Sequence, residues 1–160
     1  MQFIFKFLNP FIIFILFSIN ISIASDYEDK KNEYFSDRKL DTLEGLWVKT
    51  FANQGPTGCV TMFYKTDANV FNQIHIDSCF VLNKVTGKHT KHSETIYNGK
   101  NAIYYYDGKI DWGQSKIEIS EDYKFLSITH ISPTNTFTEK WERIWPVDFS
   151  LYNNSLGSIK

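Results

Sequence analysis

Between Leu43 and Trp145 the chain breaks into short β-type runs, each closed by turn residues, with no sustained helical period. Eight runs can be delimited: 44 to 51, 58 to 66, 70 to 83, 92 to 98, 101 to 107, 110 to 119, 124 to 131 and 136 to 145. The separators are Gly55-Pro56-Thr57, Thr66 to Asn69, Gly87, Asn98-Gly99, Asp107-Gly108, Glu121-Asp122 and Pro133-Thr134. Short strands at this spacing are the pattern of a sandwich or barrel. Short links between successive strands favour an up-and-down meander over a Greek key. The expected fold class is all-β, an eight-stranded up-and-down antiparallel β-barrel over residues 41–146.

The flanks read differently. In residues 1–24 Lys6 is the only charge, Phe11 to Phe17 is apolar, and Ser22-Ile23-Ala24 supplies small residues for cleavage, the pattern of a secretory signal peptide. The alternative is an uncleaved anchor, because the apolar stretch approaches the ~20 residues that span a bilayer. Membrane contact would come only through that segment. Residues 25–40 form a polar N-terminal arm, and 147–160 a short, turn-rich tail. The expected location is secreted or extracytoplasmic, in a periplasm or secretory lumen.

Composition excludes some partners. Of 17 basic residues only Lys6 precedes the cut, leaving 16 against 18 acidic residues and a formal charge of −2. No basic patch predicts nucleic acid. Aromatic residues are 17% of the chain, enough apolar area for a core. No cofactor or metal motif is evident. His89-x-x-His92 has metal-like spacing, but it lies beside Lys88 and Lys91 in a turn-like polar stretch and reads as surface-loop histidines. His75 is expected to face outward, and His130 has no visible partner.

The second and third runs can be paired. A hairpin turning at Asn69 sets Cys59 opposite Cys79, Thr61 opposite Asp77 and Phe63 opposite His75. The other face pairs Val60 with Ser78, Met62 with Ile76 and Tyr64 with Ile74, and being more apolar it is expected to point inward. Cys59 and Cys79 would then lie on the outer face, close enough for a disulfide. Two free thiols, or other bridges after a one-residue slip, are the alternatives. Tyr104-Tyr105-Tyr106 puts two tyrosines on one face and one on the other. Asn153-Asn154-Ser155 is a glycosylation sequon in a eukaryotic secretory pathway.

Three segments together resemble lipocalins: Gly45-Leu46-Trp47 opening the first strand, Glu121 to Leu126 as a turn and strand, and Trp141-Glu142-Arg143 in the last strand. The resemblance implies a barrel base in which Arg143 crosses to Trp47 and Gly45 gives close backbone approach. A narrower resemblance is to the lipocalin domain of violaxanthin de-epoxidase. It rests on Ile96-Tyr97-Asn98, Asp111-Trp112, Ser115 to Glu118, Asp122 to Phe125 and the position of Cys59. Two departures stand out: Asn83 to His89 carries no carboxylate where that enzyme has its catalytic Asp, and Gly113 replaces a Tyr.

These readings imply a barrel that binds or carries a small apolar ligand, lipid or isoprenoid-like. Candidate ligand-lining residues are Met62, Tyr64, Ile74, Ile76, Tyr97, Tyr104 and Tyr106. The alternatives are a de-epoxidase-like enzyme using Tyr97 as its acid, or a ligand-free barrel that binds proteins.

Overall fold

A computed structural model describes residues 27–36, 38–105, 107–132 and 135–156. The expected signal segment and Tyr106 lie outside the described residues. Residues 27–35 form a helix, α1, in a separate N-terminal unit, with Lys31 paired to Glu28 one turn earlier. Among the described residues no helix is long and apolar enough to cross a membrane.

The second unit is a closed eight-stranded barrel in which each strand pairs antiparallel with the next and the last with the first. The strands are β1 (Gly45–Ala52), β2 (Val60–Asp67), β3 (Val70–Asp77), β4 (Val85–Lys91), β5 (Ile96–Tyr104), β6 (Ile110–Ile119), β7 (Phe125–Ile131) and β8 (Thr136–Trp145). A short helix follows, α2 (Phe149–Ser155), its N-terminus capped by the Asp148 carboxylate accepting from the Leu151 amide at 2.8 Å. The tail is therefore partly helical.

The number of strands agrees with the sequence reading, but two assignments compensate. The stretch 85–91 is not a turn-like loop; it is β4, which places Thr86 and His89 inside. The runs at 92 to 98 and 101 to 107 are parts of one strand, because Asn98-Gly99 sits mid-strand, paired with Thr90 and His89.

The base closes as the Gly-x-Trp motif implies. The Arg143 guanidinium stacks on the Trp47 ring, 4.0 Å from its centroid. It donates to the backbone carbonyls of Tyr123 and Glu44, each at 2.7 Å, and to that of Thr42. Trp47 donates its indole N–H to the Leu43 carbonyl at 3.0 Å. Gly45 has φ +129°, and a Cβ there would lie 2.2 Å from the Trp145 carbonyl oxygen, so only glycine fits. The buried Glu44 carboxylate is held by Arg38 at 2.6 and 2.9 Å and by the amides of Asp41 and Lys65.

Cys59 and Cys79 form a disulfide, with Cα atoms 4.6 Å apart. It belongs to the core cluster and does not sit on the outer face as expected. The β2–β3 hairpin pairs Met62 with Ile74, Thr61 with His75 and Phe63 with Gln73, with bulges at both ends of the ladder. This register is shifted two residues from the expected one, which set Thr61 opposite Asp77, Phe63 opposite His75, Met62 opposite Ile76 and Tyr64 opposite Ile74; the two faces keep their members but point the other way. Phe63 and Phe71 join the core cluster with Trp47, Tyr97, Ile117, Ile128 and Trp141. Met62, Tyr64, Ile74 and Ile76 alternate onto the outer face, although Met62 and Ile76 are still buried there.

Arg143→Ala should therefore destabilise the protein by about 3 kcal/mol, from the loss of charge-assisted hydrogen bonds and a desolvated stack. Arg143→Lys should recover only part of this, since an ammonium cannot fork to three carbonyls. Urea unfolding measures both, and a loss below about 1 kcal/mol for Arg143→Ala would contradict the closure described.

Candidate functional site: a polar belt inside the barrel

Trp47 and Arg143 fix which residues of β1 and β8 point inward. Counting by twos, Lys49 lies above Trp47, and Trp141 and Glu139 lie above Arg143. Lys49 and Glu139 meet at 2.7 Å, each side chain 10% exposed, and the Lys49 ammonium sits 5.2 Å from the Trp141 ring centroid. The second Glu139 oxygen accepts from His130 Nε2 at 3.2 Å, so His130 has an acidic partner after all. His130 also stacks on Phe137 at 4.3 Å.

The opposite wall carries amides and imidazoles. The Gln73 side-chain oxygen accepts from Asn101 Nδ2 at 2.7 Å and from His89 Nε2 at 3.3 Å. The Gln73 amide nitrogen lies 3.4 Å from His75 Nε2. His75 therefore faces inward, and His89 is fully buried against Phe63. His92, by contrast, is exposed in the link after β4. Gly87 makes room for this cluster, because a Cβ there would come within 2.7 Å of both Gln73 Oε1 and His89 Nε2.

Thr61 on β2 and Ser115 on β6 complete a belt to which all eight strands contribute an inward polar side chain. Buried polar groups are ordinarily hydrogen-bonded. Here, among the described residues, His75 Nδ1, His89 Nδ1, Asn101 Oδ1, Ser115 Oγ, His130 Nδ1 and Trp141 Nε1 are buried with no hydrogen-bond partner in the protein. They belong to β3, β4, β5, β6, β7 and β8. With His89 donating through Nε2, its Nδ1 is an acceptor, as is Asn101 Oδ1, while the Trp141 N–H can only donate.

Electrostatically the belt is close to neutral. Burial, with a contribution from the nearby Lys49, lowers the pKa of His75 to about 4. Burial, with His130 adding to it, lowers that of His89 to about 3. Burial works to raise the Glu139 pKa, but His130 and Lys49 outweigh it and hold the carboxyl below its ordinary range.

Below the belt the barrel is filled. Tyr97 is fully buried near the closed end, edge-on to Phe71 at 5.1 Å, with its hydroxyl 2.8 Å from that of Thr42. Burial raises its pKa to about 12. Tyr104 is half-buried at the mouth, with its ring 6.4 Å from that of Phe80. The structure thus does not gather Met62, Tyr64, Ile74, Ile76, Tyr97 and Tyr104 into one site, and the belt residues it does gather were not among the expected ones. Parity from Trp47 and Arg143 would have found Lys49 and Glu139. The bulge between Gln73 and Ile74 hides the β3–β4 half from any such count.

No family model, curated protein or solved structure matches the chain.

His75 and His89 make stability acid-sensitive. Their folded pKa values lie below the unfolded value of 6.5, so their contribution is complete above about pH 6.5 and is lost as pH falls toward about 4 for His75 and about 3 for His89. Denaturant midpoints should fall steadily over that window, and His89→Gln should flatten its lower part. A wild-type profile level from pH 7 to pH 4 would contradict buried, neutral histidines.

Proposed function

We propose that the barrel binds and carries a small molecule with an apolar body and a neutral hydrogen-bonding group, such as an isoprenoid or lipid alcohol. The observation that carries this reading is that six buried polar atoms, on inward-facing residues of β3 to β8, have no hydrogen-bond partner in the protein. A hydroxyl both donates and accepts, which suits a belt offering acceptors at His89 Nδ1 and Asn101 Oδ1 and a donor at Trp141. The Lys49–Glu139 pair already compensates its own charge, so no net charge is demanded of the ligand.

The rim supports the apolar half of the proposal. Phe80 and Leu82, in the link between β3 and β4, are exposed at the end of the barrel where the belt lies. A ligand would place its polar group against the belt and its body toward this rim, because aromatic packing fills the interior below. The disulfide is compatible with an oxidising, extracytoplasmic location. A secreted carrier is the form of the proposal that agrees with the leader-like residues 1–24.

The test compares farnesol with farnesene, the same isoprenoid skeleton with and without a hydroxyl, by quenching of tryptophan fluorescence. Farnesol should bind roughly tenfold more tightly, the equivalent of one well-made hydrogen bond. Asn101→Leu should remove most of that preference while leaving farnesene affinity nearly unchanged. Equal affinity for both compounds would remove the belt from the binding site, and no binding of either would argue against an apolar body.

A further inference from the structure

The Cys59–Cys79 disulfide does not stand alone at the mouth. A ring nitrogen of His75 and the two sulfur atoms all lie within 4.8 Å of one another. Three different places bring them together: the residue before β2, the inward face of β3, and the link after β3. Cys59 falls on the same face as Thr61 and Phe63 by simple alternation along β2, the side that His75 also faces. We propose that, when this disulfide is reduced, the Cys59 and Cys79 thiolates and the His75 imidazole bind one thiophilic divalent cation such as Zn²⁺.

Two sulfurs and one imidazole nitrogen are an established zinc donor set, leaving a fourth tetrahedral position for water or an incoming ligand. With Zn–S bonds of ~2.3 Å, tetrahedral geometry separates the two sulfurs by about 3.8 Å. That is close to the distance at which two unbonded sulfurs come to rest, so opening the disulfide moves the ligands toward the metal geometry.

The chemistry balances with a dithiol as reductant. The dithiol supplies two electrons and two protons and becomes a disulfide, while the Cys59–Cys79 bond breaks to two thiols. Zn²⁺ then displaces both thiol protons and forms two Zn–S bonds and one Zn–N bond. Disulfide and metal are mutually exclusive, so the mouth carries a covalent staple under oxidising conditions and a metal site under reducing ones. This inference does not depend on the proposed ligand.

The test titrates Zn²⁺, and separately Co²⁺, into the full chain before and after reduction, with unreacted reductant removed. The expected result is one metal per chain in the reduced form only, with thiolate-to-cobalt charge-transfer absorption for Co²⁺. His75→Ala should weaken binding about a hundredfold or more, since loss of outer-shell partners alone costs 10–100-fold. His92→Ala should leave it unchanged. Equal binding by the oxidised protein, no binding by the reduced protein, or indifference to His75→Ala would each overturn the proposal. So would a reduced chain that unfolds and is not refolded by the metal, because binding at a real site adds to folding stability.

Discussion

Everything inside the barrel takes its orientation from the packing of Arg143 on Trp47. In a strand the side-chain period is two, so one inward residue determines the facing of its neighbours until a bulge intervenes. Trp47 and Arg143 sit on the first and last strands, which pair to close the cylinder, and Arg143 also ties the chain on either side of the seam through three backbone carbonyls. A cation buried without a carboxylate partner would be costly, and the stack and carbonyls offset that cost. The seam thus closes and puts Lys49, Glu139 and Trp141 inside in the same stroke.

The placement of Lys49 and Glu139 explains why the interior divides into two levels. Near the base, Trp47, Phe71, Tyr97 and Ile117 fill the cylinder with apolar surface. Above them the Lys49–Glu139 ion pair of β1 and β8, with His130 of β7 hydrogen-bonded to it, faces an amide and imidazole half on β3 to β5. Low effective dielectric strengthens made hydrogen bonds and makes unmade ones expensive. A level that holds neutral histidines, one compensated ion pair and several unmatched atoms is therefore the part of the molecule most responsive to a polar group arriving from the mouth.

The architecture was legible in the sequence because turn residues and β-type runs carry it locally, and Gly45, Trp47 and Arg143 could be read as the base. The errors came where the signal is not local. His89 looked like a loop residue because Gly87, Lys88 and Lys91 surround it, yet Gly87 is there to admit the Gln73, His89 and Asn101 side chains. The β2–β3 faces were oriented by the rule that the more apolar face points inward, and a barrel with a polar interior level reverses that rule. Asn153 carries a sequon, but its amide is committed to the Leu40 backbone through two hydrogen bonds of 2.9 Å, which sequence alone does not disclose.

The central claim is that the belt meets the polar group of a bound molecule. Native mass spectrometry of the protein purified from its own host, followed by solvent extraction of whatever it carries, tests this most directly. The account predicts one bound compound per chain, apolar overall and bearing a hydroxyl or amide oxygen. A protein recovered empty from its host, or loaded with a pure hydrocarbon, would contradict it.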